Sequence, residues 1–278
     1  MKNDKAGKPY WNLAWDNAPL PEVFNPRAHY LKDYVNSRFH AFFCRIFSTM
    51  DTRGMKLLEL GCARSMWLPY FAKEFGFEVF GIDYSEKGCQ LAKDLLSNEG
   101  VSGEIICNDF FSPSESLLEK FDIVVSFGVA EHFQDTGECI NAFSKFLKPN
   151  GILITNIPNM VGLIGIIEKI INRSVYDIHK LVDSDSLKKA HEKVGLEDIE
   201  CNYFIFTNFG VCNLQGVKPG SISWIIKKVL LAVLVRFSML VWFIECRVGH
   251  LKPNRFFAPY INCLAYKRKI TTNINESQ

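Results

Sequence analysis

No stretch of the 278 residues is dense in Lys and Arg, and the net charge of +2 is close to balance. That absence excludes the basic stripe on which nucleic-acid binding depends. There is also no C-x-x-C pair. The cysteines, at positions 44, 62, 89, 107, 139, 201, 212, 246 and 263, are scattered and have no histidine at ligand spacing. Neither a zinc site nor a disulfide framework is expected, and the reading assigns no metal. Several of these cysteines lie inside apolar runs, where a free thiol behaves as a small hydrophobe, and a reducing cytosol is the simplest home. The opening residues, MKNDKAGKPYWNLAWDN, lack the apolar core of a signal peptide, so the expected location is cytoplasmic. Glycine is scarce where a nucleotide fold would want it. The segment MKLLELGCARS (55–65) keeps only Gly61, and a lone glycine does not establish a phosphate-cradling turn.

What is present describes a folded chain, 48% hydrophobic and 22% charged. Residues 1–25 carry Pro9, Pro19 and Pro21 with Tyr10, Trp11 and Trp15, and read as an extended arm. From His29 to Met50 apolar residues recur at three and four, as in an amphipathic helix. Then strand and helix alternate. LLELG, EVFGIDY, EIICNDFF, FDIVVSFG and ILITNIPN read as strands. MWLPYFAKEFG reads as a helix, and so does SEKGCQLAKDLLSNEG, with Ser85 as N-cap and Gly100 as stop. TGECINAFSKFLKPNG reads as a helix closed by Pro-Asn-Gly. Alternation of this kind, with strands apolar on both faces, gives an α/β fold: a doubly wound Rossmann-like sheet with helices on both faces. A later strand pair, LEDIECNYFIF and APYINCLAYKR, is expected to complete the sheet at its far edge. The expected divisions are an N-terminal arm and helix (1–50), a core (51–205), a hydrophobic helical insertion or lid (206–257), and a final strand with a disordered tail (258–278).

Ligands of open α/β sheets bind outside the carboxyl ends of the strands. Gly61 ends the first strand, and Ala63 and Ser65 stand where further glycines would be; both are small enough for a ligand to approach. The second strand ends at Asp83-Tyr84, where an acid suits a ribose diol; a turn or capping Asp is the alternative. The third ends at Asn108-Asp109-Phe110, an acid for an exocyclic amine with an aromatic to flank the ring, or else a solvated strand-end acid. The fourth runs into SFGVAEHF (126–133), with an acid and a histidine just beyond the sheet. Contact with a ligand and a structural hydrogen bond are both open to His132.

Taken together, LLELGCARS, GIDYS, NDF, SFGVAEHF and LKPNGILITNIPN resemble the motifs of class I S-adenosylmethionine-dependent methyltransferases, in the small-molecule group similar to the ubiquinone and menaquinone enzymes. The match covers residues 55–158 well, and 183–205 and 258–268 loosely. The resemblance implies S-adenosylmethionine as cofactor. It places Glu59, Gly61 and Ala63 on the methionine and adenosine side, Asp83 with Tyr84 at the ribose, Asp109 with Phe110 at the adenine, and Ser126, Phe127 and Gly128 beneath the sulfonium. Ala63 and Ser65 depart from the family's glycine loop.

Methyl transfer from a sulfonium is an in-line displacement that needs alignment, exclusion of water and, for a hydroxyl acceptor, a base. His132 and then His179 are the expected catalytic residues. The acceptor is expected against the aromatic arm, segment 161–182 and insertion 206–257, and to be a small or lipid-linked molecule methylated on oxygen or carbon. The run 222–245 is interrupted by Lys227, Lys228 and Arg236. It reads first as a lid helix pair packed on the core, next as an interfacial helix giving peripheral membrane contact, and last as a span. Two other functions compete. A nicotinamide-linked oxidoreductase would need a more glycine-rich turn for its pyrophosphate. A catalytically silent binding module is supported only by Ala63 and Ser65.

Overall fold

The computed structural model describes residues 4–16, 18–28, 30–215 and 217–268. The helical pattern's first residue, His29, and the tail at 269–278 lie outside these. In chain order the helices are α1 (Lys8–Trp15), α2 (Tyr34–Phe47), α3 (Trp67–Phe75), α4 (Glu86–Asn98), α5 (Thr136–Ser144), α6 (Leu163–Ile171), α7 (Arg173–Asp177), α8 (Ser184–Lys193) and α9 (Ile222–Val248). The strands are β1 (Lys56–Leu60), β2 (Glu78–Asp83), β3 (Gly103–Cys107), β4 (Phe121–Phe127), β5 (Leu147–Pro158), β6 (Glu197–Phe204) and β7 (Tyr260–Tyr266).

Leu57, Leu58 and Leu60 are all fully buried, which a strand achieves only when both faces are covered. β1 accordingly lies inside a seven-stranded sheet of order β3-β2-β1-β4-β5-β7-β6. The first five strands are parallel, and β7 runs antiparallel to both β5 and β6. Leu57 packs with Phe43, Tyr70 and Phe71 on one face, while Leu58 packs with Ile140, Phe143 and Leu187 on the other. The order reverses between β1 and β4, and the crevice at that switch point is where the site forms.

The caps follow the residues that can supply them. Ser85 accepts from Gly88 N at 3.1 Å to start α4, and Asp135 and Asp183 cap α5 and α8 through their carboxylates. Gly100 follows α4 with φ of +64°, as a stop requires.

Three expectations are corrected. The arm holds a regular helix, α1, because Pro9 falls in its first turn, where a missing N–H costs nothing. α5 ends at Ser144, and Lys148-Pro149-Asn150-Gly151 belongs to β5, with Asn150 at φ of +64° and an irregular register beside Phe121. The hydrophobic insertion is one 27-residue helix and not a pair, since no Gly or Pro interrupts 222–248. It is also largely exposed, with 22% of its most apolar window buried, so it is not a lid packed into the core.

Candidate active site

Gly61 ends β1 with φ of +76°, and a Cβ there would lie 2.4 Å from Val129 Cγ2. Only glycine lets this turn pass beneath the loop that follows β4. Asp83 holds the turn in place. Its Oδ2 accepts from Ala63 N at 3.1 Å and its Oδ1 from Ser85 N at 2.8 Å. Burial pushes the Asp83 carboxyl up to about 6, against the opposing pull of the N–H groups of Ser85, Ala63 and Tyr84.

A cleft of about 150 Å³ opens over this turn, and Gly61, Ala63, Asp83, Tyr84, Phe110, Phe127, Gly128 and His132 all line it. Three other expected residues sit outside the lining. Glu59 is fully buried inside β1; burial, with the Asp83 charge adding and the Ser65 hydroxyl opposing, pushes its carboxyl up to about 8. Ser126 is buried in β4 opposite Leu60. Asp109 uses Oδ1 to accept from Phe111 N at 2.9 Å, which fixes the loop carrying Phe110.

The sequence reading missed part of the wall. Asp4, Trp11, Trp15, Val129 and Phe133 also face the cleft. Trp11 and Trp15 stack at 5.7 Å, and Trp11 meets the His132 ring edge-on at 4.9 Å. The aromatic arm, expected to contact an acceptor, therefore roofs the cleft over Gly61 and Asp83. Hydrogen bonds hold it there: Ser85 Oγ donates to Asn12 at 2.7 Å, Lys5 N to the His132 carbonyl at 2.8 Å, and Tyr84 OH to Asp4. Among the described residues lining the cleft, two are carboxylates and none is Lys or Arg. Such a wall suits a cationic sulfonium and leaves a pyrophosphate without a countercharge.

A second cavity, of about 400 Å³, shares Phe127, Gly128 and His132 with the first. His179, Glu131, Glu168, Asn156 and Tyr260 also line it. The His132 and His179 rings lie 4.6 Å apart. Nδ1 of His132 is 3.3 Å from the Ile178 carbonyl and Nδ1 of His179 is 2.6 Å from that of Val175. A carbonyl partner makes each Nδ1 the protonated donor and leaves each Nε2 as an acceptor. Burial, then the neighbouring His179, pushes His132 down to about 3, and burial lowers His179 as well, so both rings are neutral near pH 7. His132 Nε2 is 3.8 Å from Glu131 Oε1, and burial pushes that carboxyl up to about 8. The sequence reading gave Glu131 no role and assigned no metal. The fold nevertheless brings Glu131, His132 and His179 together, with one ligand atom of each inside a 4.8 Å group.

Residues 51–200 match the Methyltransferase domain family. The ubiquinone biosynthesis O-methyltransferase of Nitrobacter winogradskyi is 24% identical over 217 residues, covering 75% of this chain and 81% of that protein. The protein of the same name from Brucella anthropi is 26% identical over 200 residues, covering 69% and 78%. Among solved structures, phosphoethanolamine N-methyltransferase 2 of Haemonchus contortus in complex with S-adenosyl-L-methionine has a TM-score of 0.56 at 18% identity, covering 84% of this chain and 53% of that one. The [4+2]-cyclase SpnF reaches 0.58 at 14% identity, covering 96% of each chain, so likeness of fold alone does not fix a reaction. With more than half its length matched, and with the Gly61–Asp83 cleft described above, the chain belongs to the methyltransferase domain family and is an S-adenosylmethionine-dependent methyltransferase.

Proposed function

We propose that this enzyme methylates a hydroxyl oxygen of a lipid-linked, ring-bearing small molecule held in the second cavity. The observation that carries this reading is the shared wall: Phe127, Gly128 and His132 border both spaces, so donor and acceptor meet there. The relatives are ubiquinone biosynthesis O-methyltransferases, which supports oxygen as the accepting atom and an acceptor of that kind. The bound donor supplies an electrophilic methyl group on a sulfonium. The protein's part is alignment and proton handling. Asp83 and Tyr84 fix the donor's ribose end, Phe110 flanks its base, and the Trp11–Trp15 roof excludes water. The free Nε2 atoms of His132 and His179 face the acceptor's hydroxyl and draw its proton away as the oxygen attacks.

α9 supports a lipid-bearing acceptor. It is about 40 Å long and by length and composition alone could cross a membrane. Its C-terminal half is fastened to the domain instead. Trp242 Nε1 donates to the Thr207 carbonyl at 2.8 Å, and Glu245 accepts from Tyr34 OH at 3.0 Å and Leu251 N at 2.8 Å. The opposite face presents Ile222, Ile226, Val229, Val233 and Phe237, with Lys228, Arg236 and Arg247 exposed and the helix's sole acid, Glu245, buried. Such a helix lies along an anionic bilayer with its apolar side in the headgroup layer.

Calorimetric titration with S-adenosylmethionine, alongside Asp83→Ala, tests the donor site. Binding weakened at least about ten-fold by the substitution is expected. Transfer of labelled methyl to a prenylated hydroxy-aromatic, lost in His132→Ala and His179→Ala, tests the acceptor side. Heat with NADH and none with S-adenosylmethionine, from folded protein, would sink the reading.

A further inference from the structure

The sequence of α6 is LIGIIEKII, and its buried face carries Ile164, Gly165, Ile171 and one acid, Glu168. The helical period would place another aliphatic side chain at that position. Glu168 is instead fully buried there, while its neighbour Lys169 lies out in solvent. One of its oxygens is accounted for. Oε2 accepts from Asn213 N at 3.3 Å, and Asn172 Nδ2 secures that loop through the Asn213 and Gln215 carbonyls at 3.3 and 2.7 Å. The other, Oε1, is buried with no hydrogen-bond partner among the described residues. Glu168 and Asn213 both line the second cavity, and none of its described lining residues is a Lys or Arg that could neutralise the acid. Burial, opposed by Cys212 and the Asn213 N–H, pushes the carboxyl up to about 7. A bare carboxylate oxygen is costly to bury, and an aliphatic side chain would remove the cost. A local rule broken without compensation inside the protein marks a position that serves a ligand.

We propose that Glu168 determines acceptor specificity by accepting, on Oε1, a hydrogen bond from an O–H or N–H group of the acceptor other than the hydroxyl that is methylated. The inference rests on the methyl-transfer reading above and deepens it. His132 and His179 stand on the same cavity and take the reacting hydroxyl, so Glu168 addresses a second substituent of the same molecule. With Oε2 tied to Asn213, the carboxylate meets that substituent as an acceptor only. An ether in that place sets lone pair against lone pair, and a ring without the substituent leaves Oε1 bare. A site built to hydrogen-bond an O–H or N–H rejects the analogue that lacks it more strongly than an apolar pocket rejects a change of size. No proton or methyl group passes through Glu168, whose part is binding.

The test uses the full chain loaded with S-adenosylhomocysteine and titrated by calorimetry. The probes are matched prenylated phenols that carry hydroxyl, amino, methoxy or hydrogen at one further ring position, with the position varied. At about pH 8 the carboxylate form of Glu168 prevails. Wild type should bind the hydroxyl or amino member at its best position at least about ten-fold more tightly than the methoxy and hydrogen members. Which of those two binds better identifies the donor atom. In Glu168→Gln the amide keeps its oxygen toward the Asn213 N–H and turns its NH₂ to the acceptor, so the methoxy member should now lead. Circular dichroism and unchanged S-adenosylmethionine affinity check the fold, since Glu168 does not line the proposed donor cleft. If Glu168→Gln does not fold, Glu168→Asp draws the charge back by one methylene and should flatten the ranking. The same ranking in wild type and variant, or a wild type indifferent to the second substituent, would overturn the proposal. A uniform loss across all four members would mark a merely structural role and overturn it as well. Ranked binding without transfer of labelled methyl from S-adenosylmethionine removes the methyl-transfer reading alone. Transfer to unranked acceptors removes the role of Glu168 alone.

Discussion

Two residues show what a single side chain decides here. Gly61 sits where the left-handed backbone and the closeness of Val129 both demand hydrogen. Gly61→Ala should cost roughly 2–4 kcal/mol in a denaturant titration, from the backbone and overpacking together. Gly61→Ala with Val129→Ala should recover the overpacking share. His191 is fully buried between Thr155 of β5 and Cys263 of β7. Its Nδ1 donates to the Leu187 carbonyl at 2.8 Å and its Nε2 accepts from Thr155 at 3.1 Å, and burial pushes it down to about 4. Because the unfolded chain binds this proton near pH 6.5 and the folded one does not, the contribution is intact above about pH 6.5 and is lost as pH falls toward 4. Wild type should lose about 2 kcal/mol more than His191→Asn between about pH 7.5 and about pH 5, measured by urea unfolding. Asp83 and Gly61 were legible in the sequence because strand-end spacing exposes them. The Glu131–His132–His179 group was not, because the segment through α6 and α7 that returns His179 to the end of β4 leaves no local periodic trace.

At the scale of elements, the alternating strands and helices from β1 to β5 were legible because burial on both faces forces continuous apolar runs; the end of α5, with the start of β5, and the end of β3, read four residues too long, were misplaced. The misreadings fell where tertiary contact overrides local signal. α1 has no fully buried residue, and its docking depends on partners such as Glu86 and Ser85 at the start of α4. α9 was divided in two by its charges, yet Lys228 rests over Trp224 and Arg247 over Phe243, which lets the helix carry cations without breaking. If α9 meets a bilayer, Val233→Glu with Phe237→Glu should abolish co-sedimentation with vesicles containing phosphatidylglycerol and leave S-adenosylmethionine affinity unchanged. Both residues are exposed and neither lines the proposed donor cleft. Equal sedimentation of the variant and wild type would refute the contact.

Across the whole molecule, one short arm reaches residues of both cavities. Trp11 and Trp15 roof the proposed donor cleft, while Lys5, just before α1, donates to the carbonyls of His132 and His179 at 2.8 and 2.7 Å. If the cleft holds the donor as proposed, donor exchange calls for the same segment to release the carbonyls of the histidine pair. On that reading, residence time is expected to depend on the arm as well as on the cleft. Removing the Lys5 ammonium and the Asn12 and Asp4 anchors should shorten that residence, read as a faster dissociation rate for S-adenosylhomocysteine in stopped-flow, with the first turnover little changed and later ones quicker. A multi-turnover rate set by the grip of a few polar contacts on one arm is the kinetic signature expected of that proposed donor site.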